Sequence, residues 1–267
     1  MSTVLSVQDL HHQYAGVLAL RGVSFELLQG ECVALIGPNG AGKSTCFACL
    51  AGQQNATSGQ VLWHQQNLMQ VPVTDRRALG IGRTFQVAQV FEALTVMQNL
   101  QLVLKANKGV SALDSLDDCD HDAALAWAQT MGLEELGLDA LHDSSAHLSY
   151  GNKKRLELAM AMAGLPHPEQ GLLLLDEPAA GLSPDERLDM MARIRKLTQQ
   201  GTTVLYTEHN MDAVFGVADR VLVLMEGQLL AQGLPEDMAA HPDVRARYLG
   251  TGFALTERGA TCLKSSI

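Results

Sequence analysis

The segment from Gly37 to Ser44 has the residue types and the spacing of a phosphate-binding loop. Its glycines leave room for successive backbone N–H groups to turn toward phosphate oxygens, next to the N-terminus of a helix whose dipole favours anions. Lys43 can reach the terminal phosphates of a nucleotide, and the Ser44 hydroxyl can ligate magnesium. We predict that the following residues bind a nucleotide: Gly37, Pro38, Asn39, Gly40, Ala41, Gly42, Lys43, Ser44 and Thr45.

Two adjacent carboxylates, Asp176 and Glu177, follow the apolar run at 172–175. An apolar strand that ends in Asp is common, but in a chain with a phosphate-binding loop we expect Asp176 to contact magnesium through water. Glu177 is then placed to orient and polarise an attacking water, as a general base or a hydrogen-bond acceptor. The pair therefore predicts nucleotide hydrolysis.

These residues need strands and helices that bring them together. Cys32–Ile36 is a continuous apolar run, typical of a strand covered on both faces. Ser183–Glu186 is a capping box with proline at the first helical position, and it predicts a helix that runs toward Gln200. The alternation of such segments predicts an α/β fold: a phosphate-loop NTPase core with a largely parallel sheet, preceded by an N-terminal antiparallel β subdomain.

The middle of the chain differs from this core. Leu, Ala and Met recur at helical spacing from 87 to 148, around an acidic stretch at 114–122 that we interpret as an exposed connector. We predict one domain over 1–250, with the core formed by 1–86 and 149–250 and an inserted helical subdomain at 87–148. Residues 251–267 show no periodicity and are expected to form a flexible tail.

Composition excludes several classes of protein. The 267 residues are 47% hydrophobic, and 19 Lys and Arg against 29 Asp and Glu give a net charge of −10, which argues against nucleic acid as a partner. No run approaches the roughly 20 apolar residues of a membrane span, and no secretory signal is visible. The five scattered cysteines indicate reduced thiols in the cytoplasm, and Cys46 and Cys49 are interpreted as small buried helix residues rather than zinc ligands.

With these motifs the chain resembles the ATP-binding subunits of ATP-binding-cassette (ABC) transporters, from about Val4 to Gly250. Leu148–Asn152 is similar to the family signature, and Gln86 matches the glutamine loop at the entry to the helical subdomain. His209 matches the switch histidine, which contacts the γ-phosphate. Tyr14 lies where the family places an aromatic ring that stacks on adenine.

The resemblance implies ATP and Mg2+ as cofactors. It implies Glu177, His209 and Lys43 as catalytic residues, and metal contacts from Ser44, Gln86 and Asp176. Ser149 and Gly151 would cap the γ-phosphate of ATP held by a second ATP-binding subunit, the same chain or a related one, in a head-to-tail dimer. The other implied partners are integral membrane permease subunits and, indirectly, a solute-binding protein. The implied location is peripheral, on the cytoplasmic face of the inner (plasma) membrane.

Three segments refine the resemblance. Residues 80–86, 176–182 and 241–250 look like the subgroup that serves branched-chain amino acid importers, whose near relatives serve urea and other amides. Asn152 replaces the usual Gln of the signature, and Ser183 replaces the usual Asp of the dimer-contact loop; neither change touches Lys43, Asp176 or Glu177.

The leading hypothesis is an ATPase subunit of an importer for branched-chain amino acids or a related small polar solute. One alternative is the ATPase of a lipid-extraction or export complex, and another is a soluble ABC ATPase that acts on ribosomes or DNA. A nucleotide-binding module without turnover is disfavoured because Glu177 and His209 are present.

Overall fold

Two β-sheets organise the chain in a computed structural model that describes residues 2–107 and 120–250. In chain order the strands are β1 (Thr3–Tyr14), β2 (Val17–Leu28), β3 (Cys32–Ile36), β4 (Ser58–Trp63), β5 (Gln66–Asn67), β6 (Ile81–Arg83), β7 (Leu172–Asp176), β8 (Thr203–Thr207), β9 (Arg220–Met225) and β10 (Gln228–Gly233). The α-helices are α1 (Lys43–Ala51), α2 (Val73–Arg76), α3 (Val96–Asn107), α4 (His121–Thr130), α5 (Leu138–Leu141), α6 (Tyr150–Ala163), α7 (Pro184–Gln199), α8 (Met211–Val217), α9 (Pro235–Ala240) and α10 (Pro242–Val244).

The predicted α/β fold is confirmed by the strand order. The N-terminal sheet has the order β2-β1-β4-β5, and its neighbouring strands are antiparallel. The second sheet has the order β10-β9-β3-β8-β7-β6, and it is parallel except for the β9–β10 pair. Strands β3 and β8 are buried along their whole length, as expected for strands with both faces covered.

The two faces of the second sheet belong to two apolar cores, and β3 shows how they divide. Cys32 and Ile36 face a core formed with the helices, whereas Val33 and Leu35 face a core shared with the N-terminal sheet and α1. Because β3, β7 and β8 are parallel neighbours, their carboxyl ends meet at one edge of the sheet. Ligands of such sheets bind at that edge.

The bounds of two elements follow from their local contacts. Strand β1 extends to Tyr14 because it pairs with β2 along almost its whole length. Helix α6 begins at Tyr150, since Ser149 is its N-cap. The capping box at Ser183 that starts α7 is confirmed. Strands β6 and β10 were not predicted, because β6 has only three residues and β10 is a half-exposed edge strand.

Helices α3, α4 and α5 lie within 87–148, and their buried residues join the same apolar core as the helical face of the sheet. The subdomain boundaries at 87 and 148 stay a prediction. Residues 114–119 of the acidic stretch and the tail at 251–267 lie outside the described residues.

The cysteines of α1 are packing residues. Cys46 and Cys49 are buried and unpaired, as predicted, while Cys119 and Cys262 lie outside the described residues. Over 2–107 and 120–250, no group of three or more His, Cys, Asp or Glu could hold a metal ion. No helix in the described ranges is long and apolar enough to cross a membrane.

Candidate functional site

The loop between β3 and α1 requires glycine at two positions. Gly42 is the N-cap of α1 with φ of 103°, and a Cβ there would lie 2.6 Å from the Ala19 carbonyl oxygen. A Cβ on Gly37 would lie 2.1 Å from the Leu224 carbonyl oxygen. Only glycine fits such positive φ values and close approaches. The loop therefore presents its backbone at the start of a helix, as phosphate binding requires.

Lys43 lies folded over this loop. Its Nζ donates hydrogen bonds to the carbonyl oxygens of Gly37, at 2.7 Å, and Pro38, at 3.1 Å. Burial lowers the pKa of Lys43, while the nearby carboxylates of Glu177 and Asp176 oppose that shift. The ammonium group is thus held by carbonyl dipoles close to two carboxylates, where an anionic ligand would be a stronger partner.

A cavity of about 460 Å³ opens beside the loop. Its volume suits a ligand of nucleotide size. It is lined by Tyr14, Ala19, Asn39, Gly40, Ala41, Gly42, Lys43, Ser44, Thr45, Asp176, Glu177 and His209. The structure therefore brings most of the predicted site residues together. Ala19 is an addition, whereas the predicted residues Gly37, Pro38, Gln86, Ser149 and Gly151 are not among the lining residues.

Asp176 ends β7 and is fixed by its neighbours on both sides in the sheet. The Thr207 hydroxyl donates to Asp176 Oδ1 at 2.8 Å and accepts from the Glu177 backbone N–H at 3.0 Å. On the other side, Arg83 Nη2 lies 3.6 Å from Asp176 Oδ2. Thr207 and Arg83 were missed by sequence reasoning, although each ends a strand next to β7.

Glu177 lies between two of the predicted site residues. Gln86 Nε2 donates to its Oε2 at 3.0 Å, and His209 Nε2 lies 2.9 Å from its Oε1. The backbone of Glu177 has φ of 48°, a left-handed conformation that is uncommon outside glycine and clusters at functional sites. Gln86 therefore reaches the site through Glu177, although it does not line the cavity.

A buried acid that sequence reasoning also missed, Glu208, holds the backbone close to Glu177 and at His209. Glu208 is 3% exposed, and it accepts hydrogen bonds from the backbone N–H groups of Ala179 and His209. Burial raises its pKa, and the backbone hydrogen bonds oppose this shift. Glu208 thus connects the segments that follow β7 and β8.

The donor set fits Mg2+. Ser44 and Asp176 line the same cavity and offer a hydroxyl and a carboxylate oxygen, the hard ligands that this ion prefers. The side-chain amide of Gln86 is connected to this site by its hydrogen bond to Glu177. In this structure Arg83 is the cation next to Asp176. Because the Thr207 hydroxyl donates to Asp176 Oδ1, Oδ2 is the carboxylate oxygen that faces Arg83.

Ser149 and Gly151 lie at the start of α6 and outside this cavity. The Ser149 hydroxyl accepts from the Asn152 backbone N–H at 3.2 Å, so it caps its own helix. Gly151 is buried, and a Cβ there would lie 2.6 Å from Glu186 Oε1. The signature segment therefore does not complete the cavity of its own chain, and its phosphate contact stays a prediction.

The chain is similar to known ATP-binding proteins of membrane transporters. Residues 20–180 match the family model described as "ABC transporter". The chain is 38% identical, over 92% of its length and 98% of the relative's, to the high-affinity branched-chain amino acid transport ATP-binding protein LivG of Escherichia coli K12. It is 34% identical, over 96% of its length and the whole relative, to the lipopolysaccharide export system ATP-binding protein LptB of Acidithiobacillus ferridurans.

Solved structures show the same fold. A nucleotide-free ATP-binding cassette from an ABC transporter superposes with a TM-score of 0.80 at 26% identity, covering 93% of this chain and 100% of that one. A dimeric cassette in a post-hydrolysis state, bound to ADP and Pi, superposes with a TM-score of 0.73 at 23% identity, covering 86% and 98%. The phosphate-binding loop, the Asp176–Glu177 pair and these matches lead to one conclusion: the chain belongs to the ABC transporter ATP-binding subunits, the family that hydrolyses ATP to power transport.

Proposed function

We propose that the cavity binds ATP with Mg2+, and that the chain hydrolyses it to drive an importer for branched-chain amino acids or a related small polar solute. The position of Glu177 supports this proposal most directly. Its carboxylate lines the cavity that Lys43 enters, and both of its oxygens have a polar partner, Gln86 or His209. A carboxylate held in this way can accept a proton from water at a defined place.

Each residue then has a role. The loop amides and Lys43 bind the β- and γ-phosphates, and Tyr14 stacks on adenine. Ser44, Asp176 and Gln86 are the residues that would hold Mg2+, which when bound neutralises the charge of the phosphate oxygens. Glu177 orients the attacking water and takes its proton, and His209 contacts the γ-phosphate from the end of β8.

Ser149 and Gly151 are proposed to contact the γ-phosphate of ATP bound to a second ATP-binding subunit. ABC cassettes dimerise and work with permease subunits. The N-terminal end of a helix that lies outside its own chain's cavity is suited to another chain's anion. In a head-to-tail arrangement two such chains enclose two nucleotides. The dimer would sit peripherally on the cytoplasmic face of the inner membrane, below the permease.

The solute is inferred from the LivG relative, and export of a lipid is the second candidate because LptB is also similar. Purification of the tagged chain from membranes distinguishes the two. Import is supported if the chain is recovered in a complex with permeases, and if the ATPase rate of that complex rises when a branched-chain amino acid and its binding protein are added. Recovery with lipopolysaccharide-export permeases would contradict the import proposal.

The Glu177→Gln variant tests hydrolysis and dimerisation together. It keeps the side-chain shape but removes the base, so phosphate release should slow by about 10²–10⁴-fold. ATP should still bind, and on a sizing column the variant should elute as a dimer with ATP and a monomer without it. Adding Ser149→Arg should abolish the dimer, whereas adding Lys153→Met, on the same helix, should not. Hydrolysis at the wild-type rate would refute the role of Glu177.

A further inference from the structure

One face of helix α6 holds the backbone of residues 85–89, the segment that contains Gln86. Tyr150, Lys154 and Glu157 are spaced four and three residues apart, so they lie on the same side of the helix. The 85–89 segment belongs to no helix or strand. Its polar backbone groups must therefore find partners elsewhere.

These three side chains provide those partners. Glu157 Oε1 accepts from the backbone N–H groups of Phe85 and Gln89, each at 3.1 Å. Lys154 Nζ donates to the Phe85 carbonyl oxygen at 2.7 Å. The Tyr150 hydroxyl donates to the Gln86 carbonyl oxygen at 3.0 Å.

Burial makes these contacts costly to lose. Lys154 is 2% exposed and Glu157 is 4% exposed, although both are ionisable. Removing a partner from a buried polar group leaves that group with its full desolvation cost. Lys154 and Glu157 therefore attach the 85–89 segment to α6 permanently, unlike an exposed ion pair, which forms and breaks.

We infer that Tyr150, Lys154 and Glu157 are positioning residues for hydrolysis, which act by holding the 85–89 segment so that the Gln86 amide meets Glu177. The step from α6 to the reaction is short. Tyr150 binds the backbone of Gln86, and the side chain of the same residue donates to Glu177 Oε2. Because Ser149 caps the same helix, a shift of α6 caused by a second chain's nucleotide would be carried to Gln86.

The inference rests on the proposed role of Glu177 in hydrolysis, and a double-mutant cycle tests it. Tyr150→Phe removes only the hydroxyl. We expect it to lower kcat by roughly 10-fold, since small misplacements of catalytic groups cost this much or more, while the Kd for ATP stays within twofold. In a Gln86→Ala background the same substitution should lower kcat no further, because residues that act through one another are not additive. An equal loss in both backgrounds would overturn the inference.

Lys154 and Lys153 offer a matched pair on the same helix. Lys153 Nζ contacts the exposed carboxylate of Glu92 at 2.6 Å, an ion pair of the kind that contributes little. Lys154→Met should raise hydrogen exchange of the peptide over 84–90 by about tenfold or more in the full-length chain, and Lys153→Met should leave it unchanged. Equal exchange in both variants would contradict the attachment.

Glu157 supplies a conservative rescue. Its Oε2 is buried and accepts no hydrogen bond from the residues that the structure describes. Glu157→Gln keeps an acceptor for both backbone amides and should retain kcat within about threefold, whereas Glu157→Leu removes the acceptor and should not. A Gln variant as slow as the Leu variant would count against the attachment. The exchange measurements need no dimer, so they can succeed even if the Glu177→Gln experiment shows that the proposed sandwich is wrong.

Discussion

His209 Nε2 lies 2.9 Å from Glu177 Oε1, and the two residues follow the neighbouring strands β8 and β7. With Gln86 on the other carboxylate oxygen, the contact leaves Glu177 little freedom to rotate. His209 is half-exposed, and its contact with Glu177 helps to fix the orientation of its ring. The strand pairing therefore explains why a histidine 32 residues further along the chain shares the site of Glu177.

His209→Ala should lower kcat and leave ATP affinity almost unchanged. The ring orients Glu177 and is proposed to contact the γ-phosphate, and its loss should cost about 10²-fold or more in phosphate release, the scale of one misplaced catalytic group. Fluorescent ATP analogue titration should give a Kd within threefold of wild type. A variant with a wild-type kcat would exclude His209 from the reaction.

Lys43→Ala should abolish tight ATP binding. Within the loop Lys43 supplies the ammonium group, which here is held by two carbonyl oxygens and would instead contact the β- and γ-phosphates. The same analogue titration measures this, with circular dichroism to establish that the variant is folded. Unchanged affinity in a folded variant would show that the loop does not bind phosphate.

Tyr14→Ala should weaken ATP binding by roughly 1–3 kcal/mol, the scale of base–aromatic stacking. The ring is 43% exposed at the cavity and meets His12 edge to face, with 4.3 Å between ring centroids. A residue this exposed contributes little to the core, so the free energy of unfolding should change much less than the affinity. Tyr14→Phe is the control that keeps the stacking surface. Loss of stability without loss of affinity would place Tyr14 among the packing residues.

Thr207→Val should destabilise the folded chain by about 1–3 kcal/mol, since it leaves a part-buried carboxylate oxygen and a backbone N–H without their partner. The affected groups are Asp176 Oδ1 and the Glu177 amide. Urea unfolding measures the change. Thr207→Ser retains the hydroxyl and should recover most of the loss. If Val and Ser variants are equally stable, the bridge contributes nothing.

The sequence predicted the local parts of this site better than their arrangement. Gly37, Gly42 and Lys43 are close in the chain, so spacing alone predicts their shared loop. The Asp176–Thr207 contact depends on which strands are neighbours in the sheet, and periodicity carries no information about strand order. Arg83 was missed because β6 is too short to show a pattern. Gln86 and His209 were predicted as site residues only from the resemblance to the ABC family, since nothing in their own sequence context indicates such a role.

The stability of the protein should depend on Glu157 between mildly acidic and neutral pH. Burial raises the pKa of Glu157 from 4.5 to about 7, against the opposing effects of the Gln89 and Phe85 amides and of Lys154. In that window the folded chain retains a proton that the unfolded chain has lost. The contribution of Glu157 to the free energy of unfolding must therefore decrease as pH rises from about 4.5 to 7, and stay low above that range.

The total decrease is at most about 3.5 kcal/mol, since each pKa unit corresponds to about 1.4 kcal/mol. The lowered pKa of Lys154 acts in the opposite direction. Urea unfolding at pH 5 and pH 8 should show that wild type loses more stability than Glu157→Gln across this interval. Other carboxylates contribute equally to both proteins and cancel in the comparison. Parallel pH profiles for the two proteins would mean that Glu157 titrates at the same pH whether the chain is folded or unfolded, and that its burial against the 85–89 segment has no electrostatic cost.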